Sequence, residues 1–230
     1  MNFYNVFDVK KSFTKIPLQG KIKKIFISYL LILFFIAISI VLIHIIDYLV
    51  TEILHYNSIL SEFKKSHEDR SKYSVIKIVL IAPVIEEILF RLALRRSKLN
   101  LAIFASFLYF AAFYKSFYKI SLVDINFYYV LTTSFVVGFI FYSKSNYFPK
   151  INLIEFKMFT IISITLFGLM HINNIKPIFN LVLFYPFYVI PQMIMAYFIT
   201  NIRLKFNFWW GVILHCFINL TSIILHTITQ

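Results

Sequence analysis

The chain has 230 residues, 60% of them hydrophobic and 14% charged, with a formal net charge of +13. Its apolar residues gather in several runs of about 20, each long enough to cross a bilayer core, which excludes a single water-soluble domain; ten-residue alternating segments, the mark of a transmembrane β-barrel, are missing. The positive charge sits in the N-terminal arm and the short connections between apolar runs, as the positive-inside rule requires, so a nucleic-acid partner is excluded, and the one cysteine, Cys216, excludes an internal disulfide or a multi-cysteine metal site. With only four glycines and six prolines to interrupt them, the runs predict an all-α fold: a polytopic transmembrane helical bundle of about seven spans.

Residues 1–24 form a basic arm with Lys10, Lys11, Lys15, Lys21, Lys23 and Lys24. The run from Ile25 to Ile46 is too long for a signal-peptide core and no small-residue cleavage site follows it, so it reads as a first transmembrane helix that stays attached. Residues 47–72, with Glu62, Lys64, Lys65, Glu68, Asp69 and Arg70, read as a solvated loop. Further spans are expected at 73–94, 99–119, 126–143, 154–173, 178–200 and 208–228. Pro186 and Pro191 predict that the sixth span is kinked or broken, which membrane helices tolerate when neighbours satisfy the freed carbonyls. No internal repeat or dividing linker is visible. The chain reads as one domain, in which residues 1–72 (arm, first helix, polar loop) precede a core of 73–230. Fourteen Lys and Arg fall on the side of the N-terminus and eight on the other, so the N-terminus is expected in the cytoplasm and the C-terminus outside.

Several residues do not belong in hydrocarbon. The second span reads Ala82-Pro83-Val84-Ile85-Glu86-Glu87-Ile88-Leu89-Phe90-Arg91. Each charge near a helix centre costs about 2.5–3.5 kcal/mol on insertion scales, so three of them need compensation. Glu87 and Arg91 are spaced to pair along one face, while Glu86 points about 100° away. The fifth span closes on Phe167-Gly168-Leu169-Met170-His171, and the seventh holds His215-Cys216-Phe217-Ile218-Asn219, with His215 and Asn219 on one face. Gly168 and Gly211 would let neighbouring helices approach closely. A salt bridge with one snorkelling acid would explain the first cluster structurally, and hydrogen-bonded packing would explain either histidine alone. Taken together, an acid able to act as base, two histidines and an amide are the inventory of a hydrolytic site. Cys216 diverges from His215 around the helix and reads as a packed thiol.

Glu86-Glu87-x-x-x-Arg91, Phe167-x-x-x-His171 and His215-x-x-x-Asn219, in that order and each inside an apolar span, resemble the three motifs of the CPBP family of intramembrane endopeptidases. That family includes the type II CAAX prenyl endopeptidases and the bacterial Abi proteins, many of them associated with bacteriocin self-immunity. The resemblance spans about residues 73–225. It implies that Glu86 activates a water for attack on a peptide carbonyl, that His171 helps to position it, and that His215 and Asn219 stabilise the oxyanion, with Phe167, Glu87 and Arg91 in support. The chemistry of the residues is compatible, since desolvation raises a carboxylate's affinity for protons and imidazole and amide N–H groups are good oxyanion donors.

The expected enzyme is a metal-independent hydrolase, with zinc held by His171, His215 and a glutamate as the alternative. A His-Glu-x-x-His zinc motif, a Gly-x-Ser-x-Gly serine and paired intramembrane aspartates are all lacking. The expected partners are the lipid bilayer, through multi-pass insertion in a bacterial plasma membrane, and a peptide or membrane-protein substrate. A non-catalytic immunity or scaffold protein and a proton-coupled transporter are the competing readings. In straight helices Glu86 and His215 fall in the cytoplasmic half of the membrane and His171 near the outer end of its span. Either the fifth span begins later, or the backbone near Asn173-Asn174 is irregular around a deep cavity.

Overall fold

A computed structural model describes residues 16–61, 74–114, 125–147, 153–174 and 183–228, and every regular element among them is helical. The α-helices among them are α1 (Leu18–Tyr48), α2 (Ala82–Arg91), α3 (Lys98–Phe113), α4 (Ile125–Lys144), α5 (Leu153–Met170), the single turn α6 (Tyr185–Tyr188), α7 (Ile190–Lys205) and α8 (Phe208–Ile228). A π turn, Leu49–Ile53, continues α1, and another, Lys77–Ile81, leads into α2. A 3-10 turn, His171–Asn174, closes α5. Lys10, Lys11, Lys15 and the charged residues from Glu62 to Arg70 lie outside the described residues.

Among the described residues three helical stretches are long and apolar enough to cross a membrane: Leu18–Ile53, Ile125–Lys144 and Phe208–Leu225. The apolar helix α3 is shorter, at 16 residues. The first of these differs from the sequence expectation at both ends. It starts inside the basic arm, so that Lys21, Lys23 and Lys24 ride on its opening turns, and it runs on through Leu49, Val50 and Ile53, which read as loop. Both extensions have a physical cause: lysines tolerate a helix end because their stems reach the headgroups, and the loop's first residues are themselves largely apolar.

The distribution of side chains on α1 is the reverse of a water-soluble helix. Its exposed face carries Phe26, Leu30, Phe34, Ile38, Val41 and Ile45, whereas its buried stripe includes the polar Ser39 and Asp47 beside Ile25, Ile32 and Ile43. An apolar outer surface around a partly polar interior suits a helix solvated by lipid.

The chain divides into two compact units. The first comprises residues up to Val84 and from Thr160 onward, the second Ile85–Phe159. In the first unit α1 packs on α7 and α8, α7 on α8, and α8 on the π turn Lys77–Ile81. Tyr29 Oη on α1 and Thr221 Oγ1 on α8 share a 2.7 Å hydrogen bond. The sixth predicted span is broken at its prolines: α6 ends at Tyr188, Val189 leaves helical geometry at φ −104° and ψ 8°, and α7 begins at Ile190, just ahead of Pro191. In the second unit α3 and α4 lie against each other, with Ser97 Oγ capping α3 by accepting from Asn100 N at 3.1 Å. A Cβ on Gly138 would collide with Ser106 Oγ and lie 3.1 Å from the Ala102 carbonyl, so a larger residue requires Ser106 to turn away and the helices to part slightly where they cross.

Candidate functional site

The motif residues fall into both units, and each group is described by itself. In the second unit α2 carries Glu86, Glu87 and Arg91. Glu87 and Arg91 are both fully buried and the guanidinium donates to the carboxylate through Nη1 and Oε1. Glu86, a third of a turn away, is half-buried, and its carboxylate also acts electrostatically on Arg91. One arginine is thus shared unequally between two acids. The directly bonded Glu87 is the structural partner.

In the first unit α5 brings Phe167, fully buried, to the centre of the histidine group. Its ring centroid lies 5.0 Å from that of His171 at 50°, and 5.8 Å from that of His215 in an edge-to-face contact at 71°. The helix α5 stops at Met170 and the backbone tightens into the 3-10 turn that begins with His171. The tightening brings His171 Nδ1 to 2.8 Å from the Phe167 carbonyl. A carbonyl only accepts, so Nδ1 carries the proton, and in the neutral ring Nε2 is left as the basic nitrogen. His171 is half-buried and His215 is 1% exposed. The offset in depth expected between the two histidines is resolved locally, because both imidazoles reach one phenylalanine ring.

Gly168 sets the spacing behind that ring. A Cβ there would collide with Met193 Cγ and lie 3.5 Å from the Val189 carbonyl, so a larger residue at 168 requires the Met193 side chain to move. Asn219, one turn after His215 on α8, donates from Nδ2 to the Ile78 carbonyl at 2.9 Å, in the π turn ahead of α2. Cys216 is half-buried and forms no disulfide. Among the described residues no group of three or more His, Cys, Asp or Glu side chains is arranged to hold a metal ion.

Two buried residues of charged type, Asp47 and Arg203, escape the sequence reading. Asp47, which reads as the start of a solvated loop, is 9% exposed. Its Oδ1 accepts from Tyr188 Oη at 2.8 Å and from Leu60 N at 3.0 Å, and its Oδ2 accepts from Ser58 Oγ at 2.6 Å. His55, at φ 55°, turns the chain back so that Ser58 and Leu60 reach the carboxylate. Around this node Ile43, Val50, Ile59, Tyr185 and Tyr188 form a core on which Ile172, the neighbour of His171, packs. A lone acid closing an apolar run was the available signal. The second residue is Arg203, one of the fourteen charges on the N-terminal side, which is 1% exposed on the last turn of α7 with its guanidinium 5.0 Å from the Phe208 ring centroid. Near it, Lys205 is pushed down to about 8, by burial first and then by the positive charge of Lys24.

Compared with protein-family models, curated proteins and solved structures, the chain gives no match in any of the three.

Proposed function

We propose that this chain is a multi-pass membrane protein of seven spans, in a bacterial plasma membrane, that acts as a glutamate-dependent endopeptidase on a peptide or membrane protein. The observation that carries the reading is the pair of imidazoles on the buried Phe167 ring, one with a basic nitrogen fixed by its tautomer, in a chain whose remaining motif residues include a half-buried glutamate. Such a group is costly to keep inside an apolar helix bundle, and intramembrane ionisable residues are as a rule functional.

In the proposed reaction Glu86 removes one proton from water while His171 Nε2 accepts a hydrogen bond from the hydrogen that stays on the water oxygen. The water oxygen bonds to the carbonyl carbon of the scissile amide. The negative charge that develops on the carbonyl oxygen is met by an N–H of His215 and by the amide hydrogen of Asn219 that does not serve Ile78. Protonated Glu86 returns its proton to the amide nitrogen, the C–N bond breaks, and a carboxylic acid and an amine leave. In this reading Glu87, bonded to Arg91, is structural, and Glu86 is the acid assigned to proton transfer.

The test is membrane proteomics with wild type and Glu86→Gln, followed by cleavage of the identified substrate by purified protein. A general base contributes about 10²–10⁴ in rate, so the variant is expected to lose at least a hundredfold while accumulating normally. Wild-type-like cleavage by Glu86→Gln, or no wild-type-dependent cleavage product, would remove the peptidase reading and leave a non-catalytic membrane protein.

A further inference from the structure

The segment from Ser74 to Arg91 holds a difficulty that its own backbone cannot solve. Its π turn closes with Ala82 N–H bonded five residues back to the Lys77 carbonyl. In that register the next donor is residue 83 and its acceptor is the Ile78 carbonyl. Residue 83 is proline and has no N–H. The Ile78 carbonyl is therefore left without its helix donor, inside an apolar stretch where water is scarce. Asn219 Nδ2 supplies the missing hydrogen from another helix, at 2.9 Å.

We infer that Pro83 and Asn219 are a matched pair, in which the Asn219 side chain replaces the N–H that Pro83 lacks and so fixes the π turn from which α2 departs. The proline creates the vacancy and the asparagine fills it. The same face of α8 carries His215 one turn earlier, against Phe167. One helix thus contacts both the Phe167 ring, through His215, and the π turn that ends two residues before Pro83, through Asn219. Asn219 is accordingly a positioning residue through one amide hydrogen, whatever its other hydrogen does. That Glu86 benefits from the positioning rests on the peptidase reading; the pairing itself does not.

The pairing makes a suppressor prediction that a plain packing role does not. In Pro83→Ala, residue 83 regains an N–H and the helix can satisfy its own carbonyls, so Asn219 becomes dispensable there. The experiment is hydrogen–deuterium exchange on the full chain in detergent, with the α3 and α4 amides as internal reference. Asn219→Ala is expected to speed exchange across residues 75–85 by about tenfold, the effect of one lost hydrogen bond. In the Pro83→Ala background the same substitution is expected to change exchange by less than about twofold. Unchanged exchange in Asn219→Ala, or an equally large effect in both backgrounds, overturns the inference. If Asn219→Ala does not accumulate, recovery of accumulation in the double variant supports the pairing and continued loss overturns it. The readout needs no substrate, so a wild type without peptidase activity would refute the proposed function and leave this result intact. Where cleavage is measurable, restored exchange without restored cleavage assigns the second amide hydrogen to chemistry and keeps the pairing.

Discussion

The carboxylate at position 87 is fully buried and bonded to Arg91, while the carboxylate at 86 is half-buried a third of a turn away on the same helix. The spacing of 87 and 91 made the pair legible in the sequence, because i, i+4 neighbours meet whatever the rest of the fold does. The two glutamates should therefore fail differently. Arg91→Ala strands Glu87 as an unpaired buried charge, a change that costs about 3–5 kcal/mol. It is expected to lower abundance in the membrane and the unfolding temperature in detergent, whereas Glu86→Gln leaves both near wild type. Normal accumulation of Arg91→Ala would move the arginine from scaffold to site. The histidines divide in a similar way. His215→Ala removes a donor to the oxyanion and, if the proposed chemistry holds, costs about 10²–10³ in turnover. His171→Gln keeps polarity but not the basic nitrogen, so its expected loss lies in turnover more than in stability, measured by comparing cleavage rate with thermal unfolding.

Between elements, the contacts that hold the first unit together were the least legible part of the fold. Helix class, the break at Pro186 and Pro191 and the helices that lead to the two histidines follow from composition, proline chemistry and apolar run length, all of them local. The Asp47 node and the Asn219 bond are not local: Tyr188 and Asp47 are 141 positions apart, as are Asn219 and Ile78. A single sequence carries no mark that pairs them, so Asp47 reads as the first residue of a loop. Its burial with three donors ties α1 and the segment behind it to the core on which Ile172 packs, next to His171. Tyr188→Phe removes one hydrogen bond to a charged group, a loss of about 1.5–3 kcal/mol, and is expected to lower the unfolding temperature. Asp47→Ala is expected to do more, and to speed amide exchange in residues 49–61. An exchange rate there equal to wild type would show that the carboxylate does not hold this segment. Helix α7 adds a pH dependence at its far end. Folding holds Lys205 at about 8, below the ordinary 10.5 for lysine, because of burial and Lys24. The folded state thus disfavours the protonated amine, so this group's destabilisation is complete below pH 8, fades as pH rises towards 10.5 and is gone above it. Unfolding temperature in detergent is expected to climb over that window in wild type, and Lys205→Met is expected to flatten the climb.

For the molecule as a whole, three stretches among the described residues are long and apolar enough to cross a bilayer by themselves, and the proposed topology needs seven. In that proposal the additional spans are α3, α5 and the segments around α2 and α7, each shorter, more polar or interrupted. Such segments insert when partners cover their polar groups, and two contacts of that kind are present: the Glu87–Arg91 pair on α2 and the Asn219 bond to the π turn. Orientation is argued from charge. Fourteen Lys and Arg lie on the N-terminal side and eight on the other, and although Arg203 is buried, it stands at the end of α7 beside Lys205 on the basic side. An odd number of spans with the N-terminus in the cytoplasm puts the C-terminus outside, together with the segment that follows α1. Single cysteines introduced at Asn57 and Thr229 in a Cys216→Ala background are therefore expected to react with an impermeant maleimide in intact cells, whereas a cysteine at Gln19 is expected to react only after permeabilisation. Asn57 is exposed, which makes it a fair reporter for the segment after α1. Labelling at Asn57 with protection at Thr229 would mean an even number of spans and would remove one of the short helices from the membrane. Protection at Asn57 with labelling at Gln19 would invert the whole arrangement, and with it the side from which a substrate meets Glu86.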